Sequence, residues 1–487
     1  MTQTLYSAEQ SRELDRRAIA AGTPGYTLMQ RAGDAAFAYL RDQWPDATRI
    51  VVLAGRGNNG GDGYVLARLA WTQHLDARLV TVGDHEQLKG EVAEAANAAT
   101  RAGVPESSWN GELPAADIYV DALFGTGLNR APTGDFPGVI EALNRSGKPV
   151  LALDIPSGLM ADTGHAPGAA VRAAATISFI ALKAGLLTGR GPALTGRLHL
   201  ATLDLPDSLG EDLVPLARQL SRHQLAGWLP ARWRDAHKGD HGHVLVVGGN
   251  HGMAGAVALA GEAALRAGAG LVSVATRPSH LTLLNARRPE LMCHGIESAS
   301  DLAPLLARAS VVVLGPGLGQ DHWAASLHGA VMDSGKPHVL DADGLNLLAQ
   351  QPDNRSERIL TPHPGEAGRL LGTTTLAVQS DRFAAASALQ GRFGGAVILK
   401  GAGSLIAGPD GTLLCPYGNP GMASGGMGDL LAGIAGALLA QGLDTVTAAS
   451  AATLVHALAG DDAARVAGER GLLASDLLPF IQQRVNP

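Results

Sequence analysis

Short, unbroken apolar runs alternate along this chain with longer stretches whose apolar residues recur every three or four positions. In the first half the runs fall at residues 49–54, 77–82, 117–122, 149–153 and 175–180. Runs that are apolar on both faces belong to parallel strands covered by helices on either side. This half is therefore predicted to be α/β, a doubly wound, Rossmann- or flavodoxin-like sheet. Ahead of it, Ser7-Ala8-Glu9-Gln10 has the form of a capping box and opens a charged helix to about residue 21. A second helix is expected from Thr27, through Leu28-Met29-Gln30-Arg31-Ala32-Gly33. The alternation lapses between Leu203 and Leu229, which puts a boundary near residue 220 and gives domains 1–220 and 221–487. A second series follows at 243–247, 271–275, 310–314, 338–340, 358–360 and 396–400, with helices between, notably 253–267 and 429–440. It predicts another three-layer α/β unit, related to the first by no internal repeat.

Composition narrows the class. A chain of 487 residues is too long for one core. With 46% apolar and 17% charged residues, it is no disordered polymer. A net charge of −7 argues against a nucleic-acid partner and permits small anionic ligands held locally. Cys293 and Cys415 have no metal or redox spacing, which is cytosolic usage. Glu9, Arg12, Glu13, Asp15, Arg16 and Arg17 rule out a secretory apolar core, and the apolar stretch 430–440 is too short to span a bilayer. A cytoplasmic protein with no membrane partner is expected.

The densest chemical signal is Gly425-Gly426-Met427-Gly428-Asp429, directly ahead of Leu430-Leu431-Ala432-Gly433-Ile434. Glycines clear side chains away so that backbone N–H groups can face a phosphate, and the helix that follows adds the positive end of its dipole. A carboxylate there would repel phosphate if binding were the only task. It makes sense if a proton must leave a hydroxyl while negative charge is held nearby, and crowding by the anion should raise that acid's pKa. The loop reads as a phosphoryl-transfer site.

In the first half, Ile50-Val51-Val52-Leu53-Ala54 runs into Gly55-Arg56-Gly57-Asn58-Asn59-Gly60-Gly61-Asp62-Gly63-Tyr64. A strand ending in a glycine-rich turn that opens a helix is a phosphate site, though the spacing is not the usual GxGxxG. The alternative is a tight turn whose Asn and Gly merely adopt positive φ. Other strand ends carry Asp121-Ala122-Leu123-Phe124-Gly125-Thr126-Gly127-Leu128 and Asp154-Ile155-Pro156-Ser157-Gly158. Polar groups there converge on the crevice where such sheets bind ligands. Asp121, Asn59 and Ser157 could supply oxygens to K⁺ or Na⁺ and leave Asp154 to shuttle protons, or each Asp could simply cap the next turn.

These residues, with Lys183 in Ala181-Leu182-Lys183-Ala184-Gly185-Leu186, resemble the YjeF-type NAD(P)H-hydrate epimerase domain. The resemblance implies that Asn58, Asn59, Gly60, Gly61 and Asp62 hold hydrated NADH or NADPH together with Gly125, Thr126, Gly127, Leu128, Asn129, Arg130 and Ala131. It implies K⁺ on Asn59, Asp121 and Ser157, and Asp154 at the reacting end. Asp154 would bind the substrate and serve as acid and base in turn, while the C6 hydroxyl interconverts between R and S; Lys183 is a weaker candidate helper.

Four features accompany the glycine turn of the second half: His243-Val244-Leu245-Val246-Val247-Gly248-Gly249-Asn250 with Gly255-Ala256, Leu314-Gly315-Pro316-Gly317-Leu318-Gly319, Thr361-Pro362-His363-Pro364-Gly365-Glu366, and Lys400-Gly401-Ala402-Gly403-Ser404. Singly, each is compatible with ordinary turn chemistry, and Lys400 with a solvated strand end. In this order they resemble the ribokinase-like superfamily, and specifically its ADP- or ATP-dependent NAD(P)H-hydrate dehydratases, because His363 stands where vitamin kinases of the superfamily have Asn. Met427, in place of the usual Ala or Thr, is expected to point outward. By this resemblance Ala256, Gly317, His363 and Asp429 contact the hydrated nucleotide. Lys400, Gly401, Ala402, Gly403, Ser404 and Gly428 hold the adenine nucleotide, and Glu366 helps order Mg²⁺ through water. Asp429 takes the C6 hydroxyl proton, the hydroxyl is phosphorylated, and phosphate leaves. A homo-oligomer is expected. A vitamin or sugar kinase with an extra domain, or a first domain serving only as a binding scaffold, are the rival readings.

Overall fold

Every apolar run of the first half becomes a strand of one parallel sheet in the computed structural model, which describes residues 3–85 and 87–487. Seven strands lie in the order Glu106–Ser108, Asp76–Thr81, Arg49–Ala54, Ile118–Ala122, Val150–Leu153, Ala175–Phe179 and Arg197–Ala201. All their pairings are parallel. Alternate residues of the Arg49–Ala54 strand serve two cores: Ile50 and Val52 pack on one face, Val51 and Leu53 on the other. The two outer strands, Glu106–Ser108 and Arg197–Ala201, were not evident in the apolar pattern because one is wholly exposed and the other is never fully buried.

The Ser7 box closes as expected. Ser7 Oγ accepts from the Gln10 amide at 3.1 Å, Gln10 Oε1 accepts from the Ser7 amide at 2.9 Å, and the helix runs Ala8–Ala20. The next helix, Gly25–Gln43, starts two residues before the expected Thr27. These elements belong to one compact unit, Thr4–Ala217; the other is Arg218–Pro487, to which Gln3 also belongs.

In the second unit the strands Met292–Gly295, Leu271–Thr276, His243–Val247, Val311–Leu314, His338–Leu340, Arg358–Leu360 and Ala396–Leu399 pair in parallel in that order. The hairpin Ser404–Gly408 and Gly411–Cys415 continues the sheet antiparallel. Helix Met427–Ala440 is apolar nearly all round, so it lies between neighbours rather than at a surface. A Cβ on Gly433 would overlap the Ala260 carbonyl of helix Ala254–Arg266, and one on Gly436 would overlap Val313 of the sheet. The missing side chains are what let this helix approach both. Met427 is a correction: it is buried in this core, not turned outward, because it is the first residue of the helix and its side chain falls on the inward face. No helix among the described residues is long and apolar enough to cross a membrane.

Candidate active sites

In the first unit the strand Arg49–Ala54 has Asp76–Thr81 on one side and Ile118–Ala122 on the other, so the connections leaving its neighbours part at its carboxyl end. Such switch points form the ligand crevice of open parallel sheets. A cavity of about 880 Å³ sits there. The Asn58–Asp62 segment is not a loop; it forms the opening turns of helix Asn58–Thr72. Neither Gly60, Gly61 nor Gly63 has positive φ, which removes the simple-turn alternative. The glycines serve close approach instead: a Cβ on Gly60 would overlap the Gly55 carbonyl, one on Gly55 the Leu123 carbonyl, and one on Gly63 would lie 2.6 Å from Ala122 Cβ. The helix start is thereby pressed onto two strand ends with its free N–H groups toward the crevice.

Asn59, at the helix start, and Ser157, past a strand end, both bond Phe124 of the cavity wall, and Ser157 also bonds Asp121. Asn59 Nδ2 donates to the Phe124 carbonyl at 2.9 Å, while its buried Oδ1 has no hydrogen-bond partner. Ser157 Oγ donates to Asp121 Oδ1 at 2.6 Å and accepts from the Phe124 amide at 2.9 Å; the Ser157 amide donates to Asp121 Oδ2 at 2.8 Å. Asp121 is fully buried, and burial pushes its carboxyl up to about 6 against the hydrogen bonds from Ser157 and Leu123. An orphaned amide oxygen beside a buried carboxyl and a hydroxyl is an all-oxygen donor set, which suits a hard monovalent cation.

Asp154 lies on the cavity wall with φ +63°, and Ile180 (φ +65°) and Leu203 (φ +55°) line the same cavity. Left-handed backbone at three non-glycine residues is strain held by the surrounding fold, and such strain gathers at functional sites. Lys183 is buried and donates to Asp154 Oδ1, to the Phe179 carbonyl at 2.8 Å and to Ser178 Oγ at 3.2 Å. A Cβ on Gly125 would stand 3.4 Å from Asp154 Oδ2 and 3.3 Å from Asn59 Cβ, so the second glycine segment closes over both. Asn58, Asn59, Asp62, Gly125, Thr126, Gly127, Leu128, Asn129, Arg130 and Asp154 line the cavity; Gly60, Gly61 and Ala131 do not. Ser11, Arg12 and Asp15, from helix Ala8–Ala20, also line it. Nothing in the sequence beyond an amphipathic charged helix signalled them.

In the second unit Gly426, with φ +90°, caps helix Met427–Ala440, and Asp429 stands in its first turn. Opposite is Asp341, just past the His338–Leu340 strand. Its Oδ1 accepts from Lys400 Nζ at 2.8 Å and from Thr361 Oγ1 at 2.8 Å. A Cβ on Gly428 would lie 3.3 Å from Lys400 Nζ and 3.4 Å from Asp341 Oδ2, which places the cation and both carboxylates around one glycine. Burial, with Asp341 adding and Lys400 opposing, pushes Asp429 up to about 7. The direction is the one expected, but protein groups cause it without any bound anion. Lys400 is not a solvated strand end: it is half-buried, ion-paired with Asp341 and 3.8 Å from Glu366 Oε2.

His363 Nδ1 caps helix Pro364–Leu371, accepting from the Gly365 amide at 3.0 Å, while Glu366 Oε2 accepts from the His363 amide at 2.8 Å. Desolvation holds the imidazole below its ordinary pKa, with Glu366 opposing. Gly317 (φ +57°) packs on the other edge of the site: a Cβ there would meet Met253 at 2.6 Å and Ala256 at 3.2 Å. Beneath Lys400 to Ser404 the buried guanidinium of Arg382 donates to the Leu399 carbonyl at 3.1 Å and the Lys400 carbonyl at 3.3 Å, turning the carbonyl side of that loop inward. Gly401, with φ +145°, admits no Cβ, which would lie 2.8 Å from that guanidinium. Sequence reasoning missed Asp341 and Arg382. A larger cavity, about 1330 Å³, opens by Trp228, His241 and Gln441, at the amino end of the strands and away from this chemistry.

A glycine-framed helix start beside a carboxyl of raised proton affinity, in a parallel sheet extended by an antiparallel hairpin, is a ribokinase-like arrangement; the first unit is Rossmann-like. The comparisons agree. A solved ribokinase-like superfamily protein from Enterococcus faecalis is 30% identical, with a TM-score of 0.52 over 55% of this chain and 95% of its own. Residues 244–483 match the family described as NAD(P)H-hydrate dehydratase, and residues 25–185 the YjeF-related protein N-terminus. The bifunctional NAD(P)H-hydrate repair enzyme Nnr of Coxiella burnetii is 50% identical over 485 residues, 99% of both chains. That of Escherichia coli is 47% identical over 487 residues, 99% of this chain and 94% of its own. The chain belongs to the bifunctional NAD(P)H-hydrate repair enzyme family.

Proposed function

We propose that this chain restores hydrated NADH and NADPH, epimerising the R and S hydrates in its first unit and dehydrating the S form in its second at the expense of ADP or ATP. The observation that carries the reading is the meeting of Asp341, Lys400 and Asp429 around Gly428 at a helix start. Asp429 takes the proton of the C6 hydroxyl as that oxygen attacks the terminal phosphoryl group. The N–H groups of Gly426 to Gly428 and the Lys400 ammonium hold the charge on the moving group. Phosphate, a better leaving group than hydroxide, then departs from C6 with the C6–O bonding pair, C5 gives up a proton to solvent, and the C5–H pair becomes the restored C5=C6 ring double bond.

Ala256, Gly317 and His363 seat the hydrated ring, and Lys400 to Ser404 with Gly428 seat the adenine nucleotide. Mg²⁺ enters with the nucleotide phosphates, whose charge it neutralises. The carboxylates of Asp341 and Glu366 stand close enough to that region to order its waters. In the first unit Asn59, Asp121 and Ser157 would hold K⁺, which balances the buried Asp121 charge and fixes the floor of the cavity. Asp154 works above it with its carboxylate fixed by Lys183.

A mixed pool of R and S hydrates incubated with ADP or ATP tests the reading. Both epimers should return to dihydronicotinamide with no lasting phosphoester. A stable phosphorylated product would instead mark a kinase.

A further inference from the structure

We propose that Asp15 is a second catalytic acid–base residue of the epimerase site, delivered by the N-terminal helix Ala8–Ala20, which lies before the segment matched to the YjeF-related family. Ser11, Arg12, Asp15 and Ile19 of this helix line the cavity that also holds Asp154 and the Gly125–Arg130 segment. Ser11 and Asp15 stand one turn apart and so project on one face. Two further polar residues stand on this wall. Ser11 is 6% exposed and its Oγ has no partner. Asp62, facing the same cavity from helix Asn58–Thr72, is 9% exposed and makes no side-chain hydrogen bond among the described residues. An unpartnered buried hydroxyl such as that of Ser11 costs about 1–3 kcal/mol.

Asp15 is half-buried and likewise makes no side-chain hydrogen bond among the described residues, whereas Asp154 is held by Lys183. The groups facing Asp15 are Asp62, Asp154 and Lys183 from other elements, with Arg12 on its own helix and Arg56 and Arg130 elsewhere on the cavity wall. Burial, eased by Lys183 and reinforced by Asp154, pushes its carboxyl up to about 6, within reach of the operating pH of a proton carrier. Three carboxyl groups share one ammonium, so the cluster holds protons as well as negative charge.

Epimerisation at a carbon bearing both a hydroxyl and a ring nitrogen needs one acid and one base. Protonated Asp15 gives its proton to the C6 hydroxyl oxygen as the C6–O bond breaks, water leaves, and the ring-nitrogen lone pair forms C6=N. Water then adds to the other face, the C6–O bond re-forms, the C=N pair returns to nitrogen, and the released proton goes to the Asp154 carboxylate. In the reverse direction the two carboxyl groups exchange roles, and solvent equilibrates the proton between them.

The inference rests on the epimerase reading of the first unit, and the test separates the two. The full chain and its Asp15→Asn and Asp15→Glu forms are assayed on single R and S hydrates, with dehydration of the S hydrate followed in the same samples. If the unsubstituted chain does not interconvert the hydrates, the epimerase reading itself fails. If it does, Asp15→Asn should lose about 100-fold in kcat or more, with KM within about threefold and dehydration unchanged, and Asp15→Glu should recover part of the rate. Full epimerisation by Asp15→Asn, or a loss confined to KM, overturns the proposal. Loss of dehydration as well would mark misfolding; the milder Asp15→Glu then decides, since a rate no lower than that of the unsubstituted chain at pH 6 and pH 8 overturns the proposal and a displaced pH profile supports it.

Discussion

Replacing Asp429 by Asn should abolish dehydration and at the same time make the protein more stable at neutral pH. The carboxyl is raised from 3.8 to about 7 by burial and by Asp341, with Lys400 opposing. A folded-state value above the unfolded one means that the folded chain holds the proton more tightly. The charge of Asp429 is therefore without consequence below about pH 4, where both states are protonated. It becomes increasingly destabilising as pH rises from about 4 to about 7, and the penalty is complete above that. Three units at about 1.36 kcal/mol each set a ceiling of roughly 4 kcal/mol. Partial exposure and the Lys400 ammonium reduce the expected gain to about 1–2 kcal/mol. Asn keeps the shape and drops the charge. Calorimetry of the full chain at pH 4 and pH 8, following the transition that Mg-ATP displaces, should show equal midpoints at the lower pH. At the higher one the variant's midpoint should be raised by roughly 3–6 °C. A variant no more stable at pH 8, or one whose advantage shrinks as pH rises, would falsify the assignment of Asp429 as a half-buried base whose charge destabilises the fold.

The same carboxyl predicts that kcat/KM for dehydration climbs about tenfold between pH 6 and pH 8, since about a tenth of a group titrating near 7 is ionised at the lower value and about nine tenths at the upper; a flat profile would exclude Asp429 as the base. Gly433→Ala forces a Cβ onto the Ala260 carbonyl and should cost about 1–3 kcal/mol, read as a lower melting midpoint, because backbone cannot give way as a flexible side chain can. Asn59→Ala removes the orphaned oxygen above Asp121 and should blunt the response of epimerisation to K⁺ while leaving dehydration alone; an unchanged potassium titration would take Asn59 out of the cation shell.

How much of this could be read from residue order differs from one element to the next. The buried parallel strands were plain because nothing in Ile50 to Ala54 or Val311 to Leu314 needs an exposed face. Glu106–Ser108 carried no apolar signal at all, since it is an exposed edge. The hairpin after Lys400 hid behind glycines that usually mean loop. Asn58 to Asp62 also read as loop, because glycine is a poor helix former; tertiary packing against Gly55 and Ala122 overrides that weak preference. Asp429, His363 and Lys400 were legible from glycine and proline context. Asp341 follows a strand of only three residues and resembled a turn. Arg382 sits on a helix whose sequence gives no hint that a guanidinium is buried.

The central claim is that one chain carries two chemistries on two glycine-framed sites. Its most direct test follows pure R hydrate with Mg-ATP through the unsubstituted chain, Asp154→Ala, Asp429→Ala and an equimolar mixture of the two variants. The account predicts full recovery of dihydronicotinamide by the unsubstituted chain, little beyond spontaneous epimerisation with Asp154→Ala, accumulation of S hydrate with Asp429→Ala, and restored recovery in the mixture. Recovery of R hydrate by Asp154→Ala at the full rate, or a mixture no better than either variant, would contradict it.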